Sequence, residues 1–308
     1  MLLFSFETHR ERASTFEKAI SGLQSGSFTV TRFDNGELRI IVKSPVTAEH
    51  CFVLGSIAPP IEQLLSVLLL AHTLKKEGAR KVTALLPYMA YTRQDKNKTG
   101  ESMATAWAGL LVEASGYDQV ITIDVHSERD RELFSIPLVS LSPAEVFAAA
   151  LTSYHLTDAT IVAPDRGAIG RCEAVKAAAR MPKGETPHFE KRRVDAGLIQ
   201  VGPIGEVSAR VVVIDDILDT GGTLTSACEK LLGAGVQEIH VMVTHALFTG
   251  AHWKRLWSLG VKRIFCTDTV PLPRDVDRNN IMVLSAFPLL QRHLLSCESE
   301  DPATSRRP

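Results

Sequence analysis

Short apolar runs alternate with longer segments of helical periodicity along almost the whole chain. Val211-Val212-Val213-Ile214 is an unbroken β-branched run, the pattern of a parallel strand covered on both faces. Further on, Leu224, Ala227, Cys228, Leu231 and Leu232 recur at helical spacing. Two acids follow the strand at once, and Asp219-Thr220-Gly221-Gly222-Thr223 leads into the helix, so the stretch predicts strand, tight loop, helix. The same reading predicts strands at 2–6, 28–33, 38–42, 50–55, 81–86, 120–125, 160–163, 238–245, 261–266 and 281–284. It predicts further helices at 11–23, 61–76, 103–115, 144–151 and 286–295. Asp34-Asn35-Gly36-Glu37 is a turn signal between two strands. Gly78 closes the helix at 61–76, and Ser142 before Pro143 starts the one at 144. Strands alternating with helices predict an α/β fold.

The length of 308 residues favours two domains at the usual size of roughly 150 each. The crossing falls at Leu141-Ser142-Pro143, giving domains over 1–142 and 143–285. The helix over 286–296 is expected to pack back on the first domain. Residues 298–308 are polar, hold two prolines and lack periodicity, so they are expected to form a flexible tail.

Charge narrows the function classes. A net charge of −1 offers no electrostatic case for nucleic acid or an anionic membrane. The apolar run at 64–71 is far below membrane-spanning length, and the opening MLLFSFETHR is too short and too soon charged for a signal peptide. The five cysteines are scattered with no CxxC pair. That argues against zinc and disulfides and fits a reducing cytoplasm.

The candidate chemistry gathers at predicted strand ends. A glycine pair lets backbone N–H groups approach an anion, and a helix N-terminus adds its dipole. Asp219, Thr220, Gly221, Gly222 and Thr223 therefore form a phosphate cradle, and Asp215 and Asp216 suit sugar hydroxyls or a metal beside it. Asp165 and Gly167 follow the strand at 160–163 and suit a metal or phosphate. His126 follows the strand at 120–125 and reads either as a structural histidine or as a metal or phosphate ligand. Lys191-Arg192-Arg193 reads as a solvated run unless a phosphate lies near. Arg93-Gln94 reads as surface by residue type alone, and a plain hairpin accounts for 28–42.

These strings together carry a resemblance. Strand, paired acids and DTGGT resemble the ribose-phosphate loop of the type I phosphoribosyltransferase fold. Pro87-Tyr88-Met89-Ala90-Tyr91-Thr92-Arg93-Gln94-Asp95, Asp124-Val125-His126 with Phe134 and Pro137, Pro164-Asp165-Arg166-Gly167 and Lys191-Arg192-Arg193 are similar to motifs of ribose-phosphate pyrophosphokinases, in that family's order. Thr244-His245 with Phe248 and Asp268-Thr269 with Pro271 also match. The resemblance implies two type I phosphoribosyltransferase-like domains, each a mostly parallel sheet flanked by helices. It implies that the diphosphoryl group of Mg²⁺-ATP moves to O1 of ribose 5-phosphate, giving 5-phospho-α-D-ribose 1-diphosphate and AMP. It implies ATP contacts from Phe33, Asn35, Gly36, Glu37, Arg93, Gln94 and His126. His126 and Asp165 are implied to hold Mg²⁺, and Lys191 and Arg193, on a loop that closes over the phosphates, to be catalytic. It implies a dimer-based homo-oligomer.

The chain departs from the family pattern at Asn35, where Asp is common, and at Ala168, where a second Gly is usual. The segment 96–102 is shorter than in phosphate-activated members. Two other readings remain open on sequence: a phosphoribosyltransferase that consumes the diphosphate sugar, and a non-catalytic regulatory subunit.

Overall fold

The computed structural model describes residues 1–194 and 197–300; for residues 193, 194, 197, 198 and 297–300 it describes the backbone alone. In chain order the first elements are β1 (Leu2–Ser5), α1 (Arg10–Ala19), β2 (Gln24–Ser25), β3 (Phe28–Arg32), β4 (Leu38–Val42), β5 (His50–Leu54), α2 (Ile61–Lys76), β6 (Lys81–Leu86), α3 (Ala104–Ala114), β7 (Gln119–Ile123) and β8 (Leu138–Leu141). Next come α4 (Ala144–Ser153), β9 (Thr160–Val162), α5 (Ile169–Ala178), β10 (His188–Val194), β11 (Gly197–Ile204), β12 (Arg210–Leu218) and α6 (Gly222–Gly233). The last are β13 (Glu238–Ala246), α7 (Arg255–Ser258), β14 (Val261–Thr267), β15 (Ile281–Leu284) and α8 (Phe287–Glu300).

The chain divides into two compact units, residues 142–286 and the remainder on either side. The first unit holds a six-stranded sheet in the order β2-β1-β5-β6-β7-β8, parallel throughout. β3 and β4 make a separate antiparallel ribbon. α2 buries Leu64, Val67, Leu70, Ala71 and Leu74 in the core that also holds Val53, Val82 and Ala84 of the sheet. Each leucine and valine among them contributes roughly 1.5–3 kcal/mol. Gly78, at φ +91, ends the helix; Ala79 N–H then donates to the Leu74 carbonyl at 3.0 Å, as a left-handed helix cap does. α8 belongs to this unit, and its Phe287 ring stands 5.7 Å from His9 and 6.1 Å from Phe16.

The second unit holds a five-stranded parallel sheet in the order β15-β14-β13-β12-β9. β12 explains its own unbroken apolar run. Val211 and Val213 enter one core with Leu224, Ala227, Cys228 and Leu231 of α6. Val212 and Ile214 enter a second core with Phe147 of α4 and Cys172 and Val175 of α5. Both faces are covered, so no polar position alternates along it.

Several expectations are corrected. Asp215 and Asp216 lie inside β12 rather than after it, because its ladder to β13 continues through Leu218↔Ala246. Residues 188–194 are a strand, not a loop: β10 pairs antiparallel with β11, and Phe189 is wholly buried. α1 stops at Ala19, and Gly22, at φ +73, turns the chain so that Leu23 is buried outside the helix. α8 runs on to Glu300, past the expected start of the tail; residues 301–308 lie outside the described residues. β2, β8, α5 and α7 have no counterpart in the sequence reading. No helix among the described residues is long and apolar enough to cross a membrane. Cys51, Cys172, Cys228 and Cys266 are buried free thiols.

Candidate functional site

In the second unit the candidate residues stand where β9 and β12 end. β12 runs directly into the loop, and Gly221 takes φ +87 as the residue before α6. A Cβ there would lie 2.8 Å from both Cα and Cβ of Trp253, so glycine is required by conformation and by space together. A Cβ on Gly222 would meet nothing within 4 Å. The first backbone N–H groups of a helix have no partner within it, and here they open beside exposed Thr220 and Gly222 and half-buried Asp219 and Thr223. That arrangement suits a phosphate.

Asp216 is buried and Asp215 half-buried. Asp215 accepts the Asp216 N–H at 3.0 Å. Lost hydration first, then the charge of Asp216, push the Asp215 carboxyl well above the usual carboxylate range, and the charge of Arg171 works against that rise. A carboxyl so placed is suited to sharing a proton or a hydrogen bond with a sugar hydroxyl.

Asp165 links this region to the β10–β11 ribbon. Its Oδ1 accepts the Gly167 N–H at 3.0 Å, and its Oδ2 accepts from Lys191 Nζ at 2.8 Å. A Cβ on Gly167 would stand 3.2 Å from that Oδ1, which favours glycine there. Ala168 is 1% exposed and packs with Cys172 and Val175, so its extra methyl fills core. Arg166 pairs with Glu190 on the same ribbon. The expected site residue Arg193 lies on β10, but its side chain is outside the described residues.

In the first unit the candidates lie in two loops and a turn. Arg93 and Gln94 are exposed in the loop after β6. Gln94 Oε1 accepts from Ser102 Oγ at 2.9 Å, and its carbonyl accepts the Thr105 N–H at 3.3 Å. His126 is exposed in the loop after β7. The two loops are joined: Ser127 Oγ donates to Asp95 Oδ2 at 2.8 Å, and Ser127 N–H donates to Asp130 Oδ2 at 3.0 Å. Each loop carries a non-glycine residue at positive φ, Tyr91 at +72° and Asp124 at +49°, strain of the sort that functional loops hold. Phe33, Asn35, Gly36 and Glu37 form the exposed tip of the β3–β4 ribbon. Asn35 Oδ1 accepts the Glu37 N–H at 3.1 Å, and the Arg39 guanidinium lies 5.6 Å from the Phe33 ring centre.

Among the described residues no three His, Cys, Asp or Glu side chains cluster as a metal cage. Mg²⁺ seldom needs one, since it keeps waters and is shared with substrate phosphates through one or two carboxylates. Asp165, a half-exposed carboxylate at a strand end beside the loop, fits that mode.

A family model described as the N-terminal domain of ribose phosphate pyrophosphokinase matches residues 1–116, and a phosphoribosyl transferase domain matches residues 132–272. The ribose-phosphate pyrophosphokinase of Bacillus caldolyticus is 30% identical over 292 residues, 94% of this chain and 91% of that protein. The chain belongs to the ribose-phosphate pyrophosphokinase family. The pyrophosphokinase of Bacillus subtilis (strain 168) is 29% identical over 298 residues, 95% of this chain and 92% of that one. The solved phosphoribosylpyrophosphate synthetase of Mycobacterium smegmatis superposes with a TM-score of 0.84 at 25% identity, covering 97% of this chain and 99% of that one. Within this pyrophosphokinase frame, Arg93 and Gln94 fall in the first matched stretch, and Asp165, Lys191 and the loop to Thr223 in the second. His126 falls between the two.

Sequence reasoning missed four residues with a part in this geometry. Ser127 and Asp130 carry a capping-box spacing, a signal that was available. Asp95 offered none beyond its place in the string after Gln94. Gln200, whose Nε2 donates to the Pro164 carbonyl at 2.7 Å, was hidden in a stretch broken by Gly202-Pro203, which obscures a strand.

Proposed function

We propose that the chain transfers the β,γ-diphosphoryl group of Mg²⁺-ATP to O1 of ribose 5-phosphate, yielding 5-phospho-α-D-ribose 1-diphosphate and AMP. The observation that carries this reading is the Lys191–Asp165 pair at 2.8 Å, in one unit with the β12–α6 loop, in a chain of this family. The 5-phosphate rests on Asp219, Thr220, Gly221, Gly222 and Thr223, with α6 supplying backbone N–H groups. Asp215 and Asp216 hold the ribose hydroxyls. O1 attacks the β-phosphorus in line: the O1–Pβ bond forms, the bond from Pβ to the α-bridging oxygen breaks, and AMP keeps that oxygen. The O1 proton passes to solvent. Lys191 and Arg193 neutralise charge on the moving group, which is where catalysis of such transfers lies. Arg93, Gln94 and His126 bind the triphosphate and nucleoside, with Phe33, Asn35, Gly36 and Glu37. Asp165 and His126 are the residues that would hold Mg²⁺, which would supply charge neutralisation for the phosphates.

The setting we propose is the cytoplasm, supported by the buried free thiols. The active form we propose is a dimer-based homo-oligomer, supported by Trp107 and Leu110, three positions apart on α3 and 46% and 62% exposed. A phosphorus NMR time course with Mg²⁺, ATP and ribose 5-phosphate, and no nucleobase, tests the reaction. AMP and the anomeric diphosphate are expected. ADP or orthophosphate without AMP would overturn the reading, and no turnover at all would favour the regulatory-subunit alternative.

A further inference from the structure

Lys191 and Gln200 face each other across the β10–β11 ribbon as direct register partners, so both side chains leave the ribbon on one face. Each is engaged on the same segment after β9. Lys191 reaches the Asp165 carboxylate at 2.8 Å. Gln200 Nε2 donates to the carbonyl of the preceding residue, Pro164, at 2.7 Å, with a longer contact of 3.5 Å to the Thr223 carbonyl in the first turn of α6. The amide orientation follows from chemistry: both neighbours are carbonyl oxygens, so the NH2 must face them. Gln200 Oε1 is buried and has no hydrogen-bond partner among the described residues. Leaving a buried acceptor unpaired costs free energy, so the Nε2 contacts are kept at a cost. The ribbon lies outside the five-stranded sheet. Its start is bridged to Ala163, just after β9: Ala163 N–H donates to the Pro187 carbonyl at 2.9 Å and Phe189 N–H donates to the Ala163 carbonyl at 3.1 Å. Further along, the rung Lys191–Gln200 and the Arg166–Glu190 pair tie the ribbon to the site.

We propose that Gln200 is a positioning residue, which clamps the ribbon to Pro164 and to the head of α6 and so sets where the Lys191 ammonium stands over the sugar-phosphate loop. This rests on the diphosphoryl-transfer reading above. Gln200 touches no reacting atom; it acts through Lys191. A displacement of the ammonium by about an ångström is enough to slow such chemistry on the order of a hundredfold, whereas the first turn of α6 is also held by its own backbone, with Thr225 N–H donating to the Gly221 carbonyl at 2.8 Å.

The test is a double-mutant cycle with Gln200→Leu, Lys191→Ala and the pair, each assayed for AMP formation. Gln200→Leu is expected to lower kcat by roughly 10- to 100-fold with the KM for ribose 5-phosphate within about threefold. In the Lys191→Ala background the same change is expected to alter kcat by less than about twofold, since the group it positions is gone. Gln200→Glu keeps the size but presents no donor, and is expected to match Gln200→Leu. Full additivity in the cycle, or a Gln200→Glu enzyme with normal kcat, overturns the proposal. Hydrogen exchange on the unliganded protein reads the clamp without turnover: ribbon amides 190–192 and 199–202 are expected to exchange about tenfold faster in Gln200→Leu. Unchanged exchange overturns the proposal whether or not the wild type forms AMP. A wild type that forms no AMP, with exchange altered as expected, overturns the reaction and leaves the clamp supported.

Discussion

Ser127 and Asp95, 32 positions apart, share a hydrogen bond of 2.8 Å. Asp95 is 5% exposed, so the serine hydroxyl serves a carboxylate with little access to water. β6 and β7 are parallel neighbours, and the loops that leave their ends carry Arg93-Gln94 and His126. The bond makes two loops one support.

Removing that donor leaves a buried acceptor short by about 1–3 kcal/mol. Ser127→Ala is therefore expected to raise the KM for ATP roughly tenfold, leaving the KM for ribose 5-phosphate near its wild-type value. Ser127→Thr keeps the hydroxyl and is expected to restore ATP binding. Equal changes in both KM values in a substrate titration would show that the loops do not act as a nucleotide support.

The glycine pair in the β12–α6 loop divides its labour, and two substitutions separate the parts. Gly221→Ala sets a left-handed conformation and the Trp253 backbone against a methyl group. It is expected to destabilise the fold by about 2–3 kcal/mol, measured by denaturant unfolding. Gly222→Ala meets open space and gains helix propensity, so stability is expected to hold or rise slightly. Its methyl crowds the approach to the first N–H groups of α6, and calorimetry is expected to show weaker ribose 5-phosphate binding. A Gly222→Ala protein with full affinity would remove the loop from the phosphate site.

The β12–α6 arrangement was legible because its signals are local. An apolar run covered on both faces, a glycine pair and helical spacing follow one another directly in the chain. The ribbon was not legible: Lys191-Arg192-Arg193 shows no burial pattern, and only its pairing with Ile199 and Gln200 makes it a strand. The same limit applies to Asp215, which two following residues of strand, Ile217 and Leu218, draw into the sheet instead of leaving it on a loop. Ser127 bonds to Asp95 only because two strands are neighbours, a tertiary fact with no counterpart in spacing.

Asp215 makes stability depend on pH in a direction opposite to a paired carboxylate. Burial and the charge of Asp216 raise its folded pKa well above the ordinary 3.8. Between 3.8 and that raised value the folded state binds more protons than the unfolded one, so Asp215 costs stability as pH rises through the window. Asp215→Asn cannot ionise. Its melting temperature is expected to exceed that of the wild type by a margin that widens as pH rises above 3.8, while turnover falls. A margin that shrinks with pH would reverse the assigned sign.

His9 acts the other way. It is 3% exposed, and burial, aided by the charge of Arg12, lowers its pKa to about 4 from 6.5. The unfolded chain binds the proton first as pH falls, so stability is whole above 6.5 and is lost towards 4. By pH 5 the loss from this residue reaches about 2 kcal/mol. His9→Gln retains a partner for Ser56, which now bonds His9 Nε2 at 3.0 Å, and its unfolding midpoint is expected to fall less than that of the wild type between pH 7 and pH 5.

α8 has a bearing on how the chain is made. The first unit holds its own core strands early in the sequence, yet α8 is translated only after the whole of the second unit. A ribosome releases residues 142–286 before the Phe287 ring can reach His9 and Phe16. The later-encoded unit can thus close first, and the earlier one stays open-ended through most of synthesis. A chain stalled before residue 287 carries a finished phosphate cradle attached to a partner whose apolar seam is still bare, which makes that stalled chain the species most exposed to chaperones and proteases.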